Sequence, residues 1–277
     1  MPELPEVEVT CRNLQPQLEG RKLVALWMGK PLRWPLGVDT HQLAGRVIER
    51  VQRRGKYLVL QLDHGVLLVH LGMSGSLRWE TTCRLEGARP RQVHDHAAWV
   101  FSDGELVFND PRRFGAVVYA PSLTEGMAQR LLQRLGIEPL SSGFNPASLG
   151  RELSRHRAAI KQVLLAGTVV VGVGNIYASE ALFRAGIHPY QPAHRVGNMA
   201  IQRLCQAIVE VLSHAIELGG STLRNFHAPS GAAGAFQSIA QVYGRSGEPC
   251  VVCGGQIVRM VQGQRSTFYC PTCQPLV

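Results

Sequence analysis

Tyr57-Leu58-Val59-Leu60-Gln61-Leu62-Asp63-His64-Gly65-Val66-Leu67-Leu68-Val69-His70-Leu71 holds two short apolar runs parted by Asp63, His64 and Gly65. Runs of this length and composition, bounded by turn residues, read as strands. Working outward, Leu23 to Met28, Ala97 to Phe101 and Ala116 to Tyr119 have the same character, with Gly, Pro and Asp between them. Many short strands at close spacing predict a β-sandwich or barrel over residues 1–120. A helix from Val7 to Leu14 is expected ahead of it, entered through Pro5 and left at Pro16 and Gly20.

Near Pro121 the texture becomes helical. Ile201, Leu204, Cys205, Ile208, Leu212, Ala215 and Ile216 recur at helical spacing behind an Asn198 cap, and Gly219-Gly220 stops the pattern. Several helices are predicted between about 122 and 220, within a second domain at 121–241. Its last part, Arg224 to Gln241, contains Pro229-Ser230-Gly231 and Gly234 and reads as a mobile loop, since small residues give little to pack. Residues 242–277 form a third module. The fold class is therefore α+β: a β-sandwich, a helical domain and a cysteine hairpin.

In that third module, Cys250-x-x-Cys253 and Cys270-x-x-Cys273 sit at the ends of a hairpin made by Gln256 to Val261 and Ser266 to Tyr269. Four thiolates at this spacing suit one structural Zn2+ in a closed tetrahedral site, with an iron–sulfur centre as the alternative. Closed coordination leaves the metal no chemistry, only the task of folding the hairpin and presenting its tip, where Arg265 lies. Cys11, Cys83 and Cys205 are expected to be buried small hydrophobes.

The chain has 277 residues, 45% of them hydrophobic, and a net charge of +9. Such a positive balance points to an anionic partner, nucleic acid first. Only Lys22, Lys30, Lys56 and Lys161 are lysines. Three acidic residues among the first eight exclude a secretory signal, and no apolar run approaches the roughly 18 residues of a membrane span. The expected setting is cytoplasmic, with reduced or metal-bound cysteines.

Met1-Pro2-Glu3-Leu4-Pro5-Glu6 offers reactive chemistry. Loss of Met1 would leave Pro2 as a terminal secondary amine beside the Glu3 carboxylate. An α-amino group with a reference pKa near ~8 is far more often neutral at pH 7 than a lysine, and it can attack a sugar carbon to give an iminium. Elsewhere, Arg112 and Phe114 are two apart in Phe108-Asn109-Asp110-Pro111-Arg112-Arg113-Phe114-Gly115, so both would project to one side as an arginine beside an aromatic wedge. Met73, between Gly72 and Ser74-Gly75, is a candidate second wedge. Val169 to Glu180 places a glycine-rich turn before a helix beginning near Asn175, a phosphate-binding arrangement. Arg155, Arg157 and Lys161 are expected on the preceding helix.

Taken together these residues resemble the bacterial formamidopyrimidine-DNA glycosylase family. The likeness runs through Pro2-Glu3-Leu4-Pro5-Glu6, Lys56-Tyr57, His70 to Gly75, His94-Asp95-His96, Asp110 to Gly115, Gly174 to Tyr177, Val242 to Arg245 and the cysteine hairpin. It implies a bifunctional glycosylase and lyase that excises oxidised purines, with a helix-two-turn-helix domain, a zinc finger and damaged double-stranded DNA held in a cleft. Pro2 would be the nucleophile and Glu3 the acid–base group, a role suited to a carboxyl pKa raised by burial. Lys56 and Arg265 would serve the eliminations or hold phosphate. Met73, Arg112 and Phe114 would fill the void left by the flipped base; His94, Arg157 and Asn175 would contact the DNA backbone. The Arg224 to Gln241 loop would close over the base. The resemblance further implies a monomer that joins the nucleoid on DNA. The stretch holding Arg84, Arg89 and Arg91 is longer than the family pattern, and Arg157 stands where some members carry lysine. One alternative is the endonuclease VIII class, acting on oxidised pyrimidines through the same Pro2 and Glu3; that class resembles Pro-Glu-Gly-Pro-Glu, so Leu4 and the wedge set favour the purine enzyme. The other is a non-catalytic zinc-ribbon DNA-binding protein, which leaves Pro2, Glu3 and Lys56 unexplained.

Overall fold

A computed structural model describes residues 2–81, 90–220 and 235–276. Cys83, Arg84, Arg89 and the 224–234 part of the expected loop lie outside them. The chain divides into two compact units, Met1–Arg134 with Gly219–Gly234, and Leu135–Leu218 with Ala235–Val277.

The first unit begins with helix α1 (Leu4–Leu18) and continues through β1 (Ala25–Met28), β2 (Ile48–Arg54), β3 (Tyr57–Leu62), β4 (Val66–His70), β5 (Ser76–Thr81), β6 (Asp95–Val100), β7 (Gly104–Asn109), β8 (Ala116–Ala120) and helix α2 (Gly126–Leu132). Two four-stranded sheets form, ordered β1-β6-β7-β5 and β2-β3-β4-β8, with antiparallel neighbours. Leu58, Leu60 and Leu62 of β3 join Trp99, Leu106 and Phe108 of the other sheet, and Val7, Cys11, Leu14 and Leu18 of α1, in one core. Val59, Val66 and Leu68 point the other way, onto Ala128 of α2. Both faces of this sheet are therefore covered, which is why Val66 to Val69 is apolar without alternation.

Helix α1 is longer than predicted at both ends: Pro5 lies inside its first turn and Pro16 inside the helix. Proline is tolerated in a first turn, where the missing N–H has no intrahelical partner. At Pro16 the exposed side of the helix lets water serve the released carbonyl, while buried Leu14 and Leu18 hold the last turn down. Cys11 and Cys205 are buried, as expected, and burial pushes the Cys11 thiol up to about 12.

The second unit contains α3 (Pro146–Leu153), α4 (Ile160–Ala166), α5 (Asn175–Ala185), α6 (Asn198–Glu217), β9 (Val258–Gln262) and β10 (Arg265–Tyr269). The long amphipathic helix is capped by Gly197, one residue before the predicted Asn198. Arg155 and Arg157 are not helical; they lie in the connection between α3 and α4. Ala159 adopts an extended conformation and pairs with Pro192, so no helix can run through it. Lys161 lies on α4, the helix preceding the glycine-rich turn, as expected, but it is buried and donates to Thr267 Oγ1 at 2.7 Å. The loop expectation also needs correction where it is described. Phe236 is buried and meets the Tyr177 ring at 5.0 Å, so its one aromatic gives this small-residue segment something to pack.

Candidate functional site

Pro2 and Glu3 are both buried at the head of α1, with Glu3 as its N-cap. The Glu3 backbone N–H donates to Glu6 Oε2 at 2.7 Å. Glu6 is fully buried, and Gly220, at φ +86°, approaches it so closely that a Cβ there would lie 3.0 Å from Glu6 Oε1. A chain in this left-handed conformation can come so near only as glycine. Glu6 is a site residue for which sequence reasoning found no task.

Lys56 lies in the turn joining β2 and β3, beside Tyr57, which pairs with His70 across the sheet. The Tyr57 and His70 rings are 4.8 Å apart. His70 Nδ1 accepts from the Gly72 N–H at 3.0 Å, so a neutral ring carries its proton on Nε2. Burial first, then the positive charges of Lys56 and Arg33, push this imidazole down to about 4. In the unfolded chain it would protonate near pH ~6.5. The stabilisation of the neutral ring is therefore complete above that pH and is lost as pH falls towards about 4. Urea titrations should show the His70→Gln variant losing about 3 kcal/mol less than the parent between pH 7 and pH 4. Equal losses would show that another group dominates the acid limb.

The two wedge turns meet on one carboxylate. Asp110 is fully buried. Its Oδ1 accepts from Ser74 Oγ at 2.7 Å and from the Arg112 N–H at 3.3 Å, while Oδ2 accepts from the Gly115 N–H at 2.7 Å. The Asp110 N–H donates to the His94 carbonyl at 2.9 Å, and His94 is exposed in a left-handed turn at φ 77°. From this frame Met73 and Phe114 stand 39% and 47% exposed. The Arg112 guanidinium lies over the Phe114 ring at 4.8 Å. Arg91 is occupied otherwise: it pairs with Glu105 at 2.7 Å and covers the Trp27 ring.

In the second unit, Gly174 caps α5, placing Asn175 at its first position. Asn175 Nδ2 donates to the Ser266 carbonyl at 2.9 Å, immediately beside Arg265 at the start of β10. Arg265 pairs with Gln262 across the turn Gly263-Gln264, whose φ values of 55° and 62° suit a tight two-residue hairpin. Arg265 and Arg157 are exposed. Buried Glu180 accepts from the backbone N–H groups of Gln241, Val242 and Tyr243 at 2.9, 3.0 and 2.8 Å, fixing the chain as it enters the hairpin module. Its carboxylate sits within an apolar helix face, a signal that sequence reasoning did not use.

The four cysteine sulfurs lie within 4.8 Å of one another, with Cys250 to Cys273 at 3.8 Å and Cys253 to Cys270 at 3.5 Å. Tetrahedral zinc with Zn–S near ~2.3 Å separates its sulfurs by about 3.8 Å, so the donor set fits one structural zinc. Two backbone turns shape the cradle, Gly254 N–H to the Cys250 carbonyl at 2.9 Å and Gln274 N–H to the Cys270 carbonyl at 2.9 Å.

A sandwich with an acidic helix head, a helical unit and a zinc hairpin together define a class of DNA glycosylase. Residues 1–117 match the model of the formamidopyrimidine-DNA glycosylase N-terminal domain, 135–227 that family's H2TH domain, and 247–276 the zinc finger found in FPG and IleRS. Formamidopyrimidine-DNA glycosylases of Albidiferax ferrireducens and Variovorax paradoxus are 54% and 53% identical over 274 residues, covering 99% of this chain and 99% and 100% of theirs. The crystal structure of the MutM (FPG) protein from Thermus thermophilus superposes with a TM-score of 0.89 at 40% identity, covering both chains fully. A Lactococcus lactis FPG mutant bound to Fapy-dG-containing DNA superposes at 0.89 with 35% identity over 99% of this chain and 100% of that one. The chain belongs to the formamidopyrimidine-DNA glycosylase family.

Proposed function

We infer that this protein excises oxidised purines from duplex DNA in base excision repair and then cuts the strand as an abasic-site lyase. The burial of Pro2 and Glu3 at the head of α1 carries the mechanistic part of this reading. After loss of Met1, the Pro2 nitrogen attacks C1′ of the flipped nucleotide as the damaged base departs, and gives up its own proton, leaving a closed-ring aminal. The C1′–O4′ bond then breaks, O4′ takes a proton, and C1′ becomes the iminium Schiff base with Pro2. Glu3 exchanges protons during base loss and ring opening. Lys56 and Arg265 assist the eliminations or hold phosphate. Met73, Arg112 and Phe114 replace the extruded base, offsetting an unstacking cost of a few kcal/mol. His94, Arg157 and Asn175 bind the DNA backbone, where counterion release adds affinity. The domains are taken as 1–120, 121–241 and 242–277, the last being the zinc finger. The working form is a monomer in the cytoplasm, associated with the nucleoid on DNA and not with membranes; no helix among the described residues is long and apolar enough to cross one.

Borohydride trapping on duplexes with 8-oxoguanine opposite cytosine, or with an oxidised thymine, tests the substrate class. Preferential adduct formation on the 8-oxoguanine duplex is expected. Preference for the pyrimidine lesion would place the protein with endonuclease VIII, and no adduct on either would favour the zinc-ribbon reading.

A further inference from the structure

We propose that Asp110 is a positioning residue that makes the Met73 turn and the Arg112–Phe114 turn a single wedge. The proposal rests on the reading that these side chains replace the flipped base. Met73 and Phe114 come from turns 41 positions apart in sequence, yet one buried carboxylate serves both: Oδ1 takes Ser74 Oγ and the Arg112 N–H, and Oδ2 takes the Gly115 N–H. Ser74 is itself buried, so its hydroxyl has left water for this contact.

The backbones are correspondingly close. A Cβ on Gly72, at φ +63°, would lie 2.5 Å from the Phe114 carbonyl carbon and the Gly115 nitrogen. One on Gly115 would lie 2.8 Å from the His70 carbonyl and 3.0 Å from Asp110 Oδ2. At Gly72 the two turns are in direct backbone contact, and parting them would break the carboxylate's hydrogen bonds. Alanine at this position would leave the Ser74 hydroxyl and the Gly115 N–H without their shared acceptor. Asparagine is a mild change by comparison, since its Oδ1 can keep the Gly115 N–H while Ser74 Oγ turns to accept from the amide.

A wedge matters when a paired base must be expelled and matters much less once the base is gone. The discriminating quantity is thus the ratio of 8-oxoguanine excision to cleavage of a preformed abasic site in the same duplex, both measured as kcat/KM. Asp110→Ala should lower excision about tenfold while abasic cleavage falls less than about threefold. Ser74→Ala, which keeps the 110–115 turn and is the milder change should the first variant fail to fold, should lower the ratio about threefold. In a Met73→Ala background, Ser74→Ala should add little, because its effect passes through Met73.

Parallel loss of both activities in the two variants, no loss in either, or full additivity with Met73→Ala would overturn the inference. Met73→Ala and Phe114→Ala separate this outcome from failure of the wedge reading. If they lower the ratio and the Asp110 and Ser74 variants do not, Asp110 is the error; if they leave it unchanged, the wedge is.

Discussion

Replacement of Glu3 by glutamine is expected to slow single-turnover base excision by about 10²–10⁴-fold while leaving the protein folded. Glutamine keeps the shape of a side chain that is 2% exposed, and the Glu3 backbone N–H keeps its bond to Glu6 Oε2. What is lost is proton exchange and the carboxylate's charge. Pro2→Gly should behave differently, because glycine still presents a terminal amine and residual nicking is expected. Excision by Glu3→Gln within about threefold of the parent would remove Glu3 from the acid–base role.

Metal removal is the second large effect. The hairpin's own core is small: Phe183, Val242, Cys250, Ile257, Phe268 and Cys270, with Tyr243 and Cys273 against it. Half of the metal donor set is thus also core, and four unligated thiols cannot hold what the zinc does. Structural zinc is worth about 10–16 kcal/mol in isolated fingers at neutral pH, far more than such a cluster supplies. Losing β9 and β10 would also strip Asn175 and Lys161 of their bonds to Ser266 and Thr267 and release Arg265 from its turn. Chelation, or Cys253→Ser, should therefore take zinc from one per chain towards none and weaken binding to lesion-containing duplex by more than about 100-fold. The sandwich, whose core contains no cysteine ligand, should keep its sheet signal in circular dichroism. Full DNA affinity in metal-free protein would show that the hairpin contributes nothing to binding.

The parts of this molecule that were legible in the sequence are those where chemistry and spacing coincide. Two Cys-x-x-Cys pairs announce a metal, and β3, β4 and β6 announce themselves through dense apolar runs. Strands β2, β5 and β7 are less visible. The β2 register is interrupted between Ile48 and Arg50, so alternation fails. In β5, Arg78 belongs to the fold only because it meets buried Asp95 at 2.8 Å, and in β7 Glu105 belongs only because Arg91 reaches it. Partners distant in sequence legitimise polar residues that locally argue against a strand.

The same limit applies to the site. Pro2, Glu3, Arg112 and Phe114 stand out as residue types, and the family likeness supplies their expected roles. Glu6, Asp110 and Glu180 do not stand out, because each works through backbone amides or hydroxyls that no pattern names, and Lys161 stands out as a lysine without showing its partner. Their importance appears only when their burial and bond partners are known. Positioning, rather than reactivity, is what the sequence conceals.

The most direct test of the central claim is peptide mapping by mass spectrometry of the borohydride-trapped complex, read with the intact mass of the free protein. The prediction is a free chain lacking Met1 and a DNA adduct confined to the peptide that begins at Pro2. An active protein that retains Met1, or an adduct on Lys56 or another internal lysine, would contradict it.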